Sequence, residues 1–167
     1  MFDTILVPTD GSEGMAPVID QASGLARAHD ADLHFVYAVH TVAYGNLPLD
    51  TSLESISSML YEDGETALER AERRAATDRV ESSIVEGLPS TKILEYAREN
   101  DCDLVVMGTH GRGGLDRLLL GSVAERVVRS SKIPVLTVRV GVDDVESPDR
   151  TEVQPFSVDP SVTEAIE

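Results

Sequence analysis

The sequence predicts an α/β protein: a single doubly wound, five-stranded parallel sheet with helices on both faces. Three observations predict it. Short runs rich in Val, Ile and Leu alternate strictly with longer stretches of helical period, in the order β, α, β, α, β, α, β, α, β. Leu104 to Met107 are four successive apolar residues bounded by Asp103 and Gly108, the pattern of a strand buried on both faces, as parallel sheets require. That strand runs into a glycine-rich loop and then into Gly121-Ser122, which opens another helix. At 167 residues the chain suits one domain, large enough to bury roughly two-thirds of its unfolded surface without disulfide help.

The elements follow in order. Thr4 to Val7 reads as the first strand, broken by the turn chemistry of Pro8-Thr9-Asp10-Gly11-Ser12. A helix capped by Ser12 or Asp10 follows to about His29, with Val18, Ile19, Ala22, Leu25 and Ala26 at helical spacing and Gly14 and Gly24 as its weak points. Leu33 to Val39 is rich in β-formers and reads as the second strand. His40 to Thr51 has Gly45, Asn46 and Pro48 and no clean period, so it reads as a loop, either a variable connection or a lid. Ser52 to about Thr77 is the longest helical pattern, its inward stripe Leu53, Ile56, Leu60, Ala67, Leu68, Ala71 and Ala75, its outer face charged. Glu69 with Arg73 is a supportive pair there and Glu65 with Glu69 a mildly repulsive one. Val80 to Val85 reads as strand three. Gly87-Leu88-Pro89 starts a helix with proline at a tolerated position, buried through Ile93, Leu94 and Ala97 and ended by Asn100-Asp101. After the glycine loop, Ser122 to Ser131 reads as a short helix with Val123, Val127 and Val128 inward, and Pro134 to Val140 as the last strand.

The chemistry concentrates after the fourth strand. Ligands of open α/β sheets bind in the crevice outside the carboxyl ends of the strands, and this loop leaves from that end. The first amides of the Gly121-Ser122 helix lack intrahelical partners, and with the helix dipole they favour an anion such as phosphate; the Ser122 hydroxyl adds a further polar group. Ordinary tight turns remain the other reading of the same glycines. No Lys follows a glycine, which excludes a Walker loop, and Asp116 stands where the dinucleotide fingerprint needs its third glycine. Asp10, at the carboxyl end of the first strand, either caps a helix or faces the same crevice. Arg112 could neutralise phosphate charge and His110 could move a proton, or both are exposed loop residues.

The spacing Gly108-x2-Gly111-x9-Gly121-Ser122 resembles the nucleotide-binding motif of the universal stress protein family, G-x2-G-x9-G-[ST]. Ile5 to Ser12 resembles that family's opening strand and turn, Gly87-Leu88-Pro89 its third crossover, and Ile133-Pro134-Val135-Leu136 its last strand. The likeness covers residues 1 to 140. It implies a Rossmann-like, adenine nucleotide alpha hydrolase-like sheet of strand order 3-2-1-4-5, with Asp10 and Gly108 meeting at the switch point. It implies ATP as ligand, held by Pro8, Thr9, Asp10, Ala38, Val39, Met107, Gly108, Gly111, Arg112, Gly121, Ser122 and Val123, with Asp10 toward the ribose or a metal and Ala38 and Val39 beside the adenine through backbone groups. In that order Pro134 to Val140 is an unprotected apolar sheet edge, which predicts a homodimer through the last strand.

Composition bounds the rest. Fourteen basic against thirty acidic residues give a net charge of −16, which disfavours nucleic acid and anionic membranes as partners and makes Mg²⁺ a natural companion of a bound triphosphate. Residues 141 to 167 hold eight acids and one Arg, are broken by three prolines, and read as a disordered, solvating tail. The rest still carries twenty-two acids against thirteen bases, with only two lysines in the whole chain, a pattern expected of adaptation to high salt, a merely acidic mesophilic protein being the other reading. One cysteine, Cys102, cannot form an intrachain bridge, and no apolar run is long enough to cross a bilayer; a cytoplasmic setting is expected. The four histidines lack metal-ligand spacing, and Gly11-Ser12-Glu13-Gly14 lacks the residue a nucleophile elbow needs. Three functions compete: a nucleotide-dependent regulatory module, a slow ATPase or phosphotransferase on the same site, and a nucleotide-free member of the fold. The missing Lys argues against fast phosphoryl transfer, and the intact glycines argue against loss of the ligand.

Overall fold

The structure is a computed structural model that describes residues 1–40, 53–75, 77–111 and 120–140, with residues 53–56 described by their backbone alone. The loop after His40, read as a variable connection or a lid, Arg112 and the acidic tail lie outside the described residues.

Five strands form one sheet: β1 (Thr4–Thr9), β2 (Asp32–Val39), β3 (Val80–Glu86), β4 (Leu104–Gly108) and β5 (Val135–Val138). They pair in parallel in the order β3-β2-β1-β4-β5, as the family resemblance implied. Four helices connect them: α1 (Ala16–His29), α2 (Leu53–Arg74), α3 (Pro89–Glu99) and α4 (Ser122–Ser130). Strand side chains alternate between faces. Ile5, Val7, Leu33, Phe35 and Val106 therefore join Val18, Ile19, Leu68 and Ala71 in a core under α1 and α2. Leu6, Val36, Val105 and Met107 join Ile93, Ala97, Ala124 and Val127 in a second core under α3 and α4. The unbroken apolar runs of β1 and β4 exist because these strands are buried on both sides. At the edge, β5 is only half-buried along its whole length, since one flank has no strand beside it among the described residues.

Three expectations need correction. Neither Asp10 nor Ser12 caps α1: a 3₁₀ turn at Glu13–Met15 intervenes, the N-cap residue is Met15 with no side-chain bond, and a proline occupies the first turn instead. Pro8 does not end β1, which continues to Thr9 by pairing with β2. Val128 is 43% exposed, whereas Ala124 is buried, because α4 turns its 124–127 ridge to the sheet and Val128 falls beyond it. The Glu69–Arg73 pair forms on the outer face of α2 at 3.3 Å, and Arg74 clamps Asp20 of α1 through Nε and Nη2 at 2.7 and 2.6 Å.

Candidate functional site at the switch point

β1 and β4 pair only through Ile5 with Leu104 and Leu6 with Val105. Beyond that pair the two strands part. Pro8, carrying no N–H, has nothing to donate toward β4, and the crossovers that leave β1 and β4 turn to opposite sides of the sheet. A cavity of about 490 Å³ opens between the carboxyl ends, within the range of small-molecule sites. Its wall combines apolar residues of the second core, Val36, Ile93 and Met107, with the turn after β1 and the loop after β4.

The turn after β1 is locked by its own side chains. The N–H of Gly11, at φ +73°, donates to Thr9 Oγ1 at 3.1 Å; a residue with a Cβ is strained in that left-handed region. Asp10 Oδ1 accepts from the Ser12 amide at 3.0 Å and the Ser12 hydroxyl at 2.7 Å, an Asx turn that aims the carboxylate. Its other oxygen, Oδ2, lies 2.8 Å from where a Cβ on Gly111 would stand. Asp10 and Gly111 are thus in contact across the crevice, and the absence of a side chain at 111 makes that contact possible.

The described ends of the segment after β4 are tied to each other and to β5. The Thr109 amide donates to Val138 O at 2.9 Å, and the Gly121 amide to Thr109 O at 2.8 Å. A Cβ on Gly121 would meet that same carbonyl at 3.3 Å and His110 Cα at 3.5 Å. Gly121 is the N-cap of α4 with φ −60°, ψ 153° and no side-chain cap bond. The opening amides of the helix, on Ser122, Val123 and Ala124, have no intrahelical acceptors, and these three residues line the cavity. An acceptor for those amides would come from a bound anion or water. Among the described residues lining the cavity there is one carboxylate, Asp10, one imidazole, His110, and neither Lys nor Arg. Thr109 Oγ1 sits 3.1 Å from His110 Nδ1, while His110 Nε2 is buried without a hydrogen-bond partner among the described residues.

Ten of the twelve residues expected to bind, Pro8, Thr9, Asp10, Ala38, Met107, Gly108, Gly111, Gly121, Ser122 and Val123, line this one cavity. Val39 does not. It is 1% exposed within the α1–α2 core, and its carbonyl accepts from the Gly87 amide at 2.8 Å. Arg112 lies outside the described residues. The lining residues that sequence reasoning missed include Val36, Pro89 and Ile93. Counting by two along β2 from Ala38 finds Val36 but misses Tyr37, which lines the cavity as well. Ile93 had been assigned to the core alone; it sits at the core's open end.

The molecule is thus a doubly wound α/β protein with an anion-ready crevice at its topological switch point. The sequence pattern of the Universal stress protein family matches residues 1–139, and the chain belongs to that family. Universal stress protein MJ0531 of Methanocaldococcus jannaschii is 38% identical over 141 residues, covering 83% of each chain. The solved structure of protein MJ0577, whose reported subject is assignment of its biochemical function from structure, superposes with a TM-score of 0.75 at 25% identity, covering 86% of this chain and 99% of the other. A universal stress protein crystallised in complex with cAMP superposes with a TM-score of 0.59 at 33% identity, covering 83% and 97%. No described helix is long and apolar enough to cross a membrane.

Proposed function

We propose that this chain is an ATP-binding regulatory module of the stress-response type, with the adenosine between Asp10 and Ala38 and the phosphates at the start of α4. The observation that carries the reading is the opening of α4. The uncapped N-terminus of this nine-residue helix faces the cavity across Gly111 and Gly121, two positions where any side chain would press on Asp10 or Thr109. A cyclic adenine nucleotide bound to a relative of 33% identity supports the ligand class. Mg²⁺ fits the reading as well, because the described walls carry no Lys or Arg to balance a triphosphate and Asp10 is the kind of oxygen donor that a hard cation takes. The same shortage speaks against rapid phosphoryl transfer, which depends on charge neutralisation in the transition state.

The test is Gly121→Val. Isothermal calorimetry should show ATP binding in the parent protein and none in the variant, with the circular dichroism spectrum unchanged. A variant that binds ATP as tightly as the parent overturns the site. Phosphate release should stay far below the ~1 to 100 per second typical of kinases; release in that range, lost in Asp10→Asn, moves the ATPase reading ahead.

A further inference from the structure

In a parallel ladder, alternate residues of a strand bond to the same neighbour through both backbone groups, N–H and C=O. Between β4 and β5 this pattern holds from the Val105 amide, which donates to Pro134 O at 3.0 Å, to the Thr109 amide, which donates to Val138 O at 2.9 Å. With Gly108 in register with Val138, the next bond of a regular ladder would run from the Val140 N–H to the Thr109 carbonyl. It does not. Val140 donates instead to Thr109 Oγ1 at 3.3 Å, and the Thr109 carbonyl accepts at 2.8 Å from the amide of Gly121, the N-cap of α4. The hydroxyl has taken the carbonyl's place in the ladder, and the carbonyl holds the helix. A hydroxyl has a proton to give as well as lone pairs, and His110 Nδ1 lies 3.1 Å from this one. Packing keeps Val140 where the exchange needs it: a Cβ on Gly14 would meet Val140 Cγ1 at 2.7 Å, and a Cβ on Gly108 would meet Val140 Cγ2 at 2.8 Å.

We propose that Thr109 is a positioning residue for the phosphate end of the crevice: by accepting the Val140 amide, its hydroxyl releases its carbonyl to fix the start of α4. The inference rests on the nucleotide reading above and adds to it what holds the anion-binding amides in place. Those amides, on Ser122, Val123 and Ala124, follow directly on Gly121 and line the same cavity as Thr109. Without the hydroxyl, the Val140 N–H and the Gly121 N–H compete for one carbonyl, and the opening of α4 loosens. The nucleoside end of the crevice, at Asp10 and Ala38, belongs to the turn after β1 and to β2, which this exchange does not touch. Loss of the hydroxyl therefore weakens the grip on phosphate and spares the grip on adenosine.

The test uses the full-length chain and compares the parent with Thr109→Val, which keeps the branched shape and removes the hydroxyl, and with Thr109→Ser, which keeps the hydroxyl. If the valine chain does not fold, by circular dichroism, Thr109→Ala takes its place. Calorimetry measures ATP and adenosine, and amide hydrogen exchange by NMR follows Gly121 in the ligand-free protein. In Thr109→Val the Gly121 amide should exchange faster, and the ATP-to-adenosine affinity ratio should fall roughly five- to tenfold, the scale of one hydrogen bond. Thr109→Ser should recover most of both losses. An unchanged ratio in Thr109→Val, with adenosine still bound, overturns this proposal alone. So does an equal loss of ATP and adenosine, which marks general loosening, and so does a serine variant that behaves like the valine one. A parent that binds neither ligand overturns the nucleotide reading and this inference with it.

Discussion

Cys102 shows how much a single residue owes to its surroundings. It sits just before β4, 5% exposed in the core under α3 and α4. Burial, and then the charges of Asp103 and Asp101, push its thiol up to about 11 from an ordinary 9.0. The thiolate is the reactive form, so at pH 8 a disulfide reagent should label native Cys102 no faster than the chain unfolds. The linkage has a definite sign. The raised value means that the folded state holds its proton more tightly; the resulting stability is complete below about pH 9 and is lost as pH rises through about 11. Urea unfolding midpoints measured from pH 8 to 11 should fall, and Cys102→Ala should flatten that fall. A slope identical in the variant would show that other groups carry it.

At the scale of the element, two helix glycines that look alike in sequence have opposite roles. Glycine in a helix interior costs ~0.5 to 1 kcal/mol relative to alanine. Gly24 of α1 has nothing within 4 Å of where a Cβ would stand. Gly24→Ala should therefore stabilise the protein by about that amount. Gly64 of α2 faces β2 and β3 instead, where a Cβ would come within 2.9 Å of Tyr37 Cδ1 and 3.1 Å of Ile84 Cδ1. The helix approaches the sheet closely there because the residue has no side chain. Overpacking costs of ~1 to 3 kcal/mol exceed the propensity gain, so Gly64→Ala should be net destabilising. Thermal melts of the two variants moving in the same direction would refute this account of the α2 contact.

At the scale of the whole molecule, the open edge at β5 and the net charge pull against each other. Ile133, Val135, Leu136 and Val138 pack against the two cores from one flank, and the other flank of β5 has no strand among the described residues. Pairing with a second copy about a two-fold axis would cover it. We expect a homodimer at micromolar concentration. The net charge of −16 opposes that association and the compact state alike, with a reach of about 30 Å at 0.01 M salt and about 3 Å at 1 M. Sedimentation and circular dichroism in potassium chloride from ~0.05 to ~2 M should show dimer fraction and melting midpoint rising together. A monomer at all salt concentrations rejects the β5 interface. A midpoint insensitive to salt rejects the view of the acidic surface as a salt adaptation.

The order of elements, the depth of β4, and the loop that lines the crevice were legible in the sequence, because each rests on local information. Periodicity reports which face is buried, four apolar residues in a row report burial on both faces, and glycine spacing reports where backbone must come close. The strand order was legible only through the resemblance to a family, since alternation permits several orders of a parallel sheet. What the tertiary structure decided depends on pairs of residues distant in the chain. Asp10 meets Gly111, Val140 fills the space above Gly14 and Gly108, and Val39 is buried in the α1–α2 core while Tyr37, of the same parity on β2, lines the cavity. Ala124 faces inward and Val128 outward because the docking angle of α4, which no periodicity records, decides which part of its apolar stripe reaches the sheet. A stretch of sequence carries its own pattern of burial, but the space left between two stretches belongs to neither, and the site is made of that space.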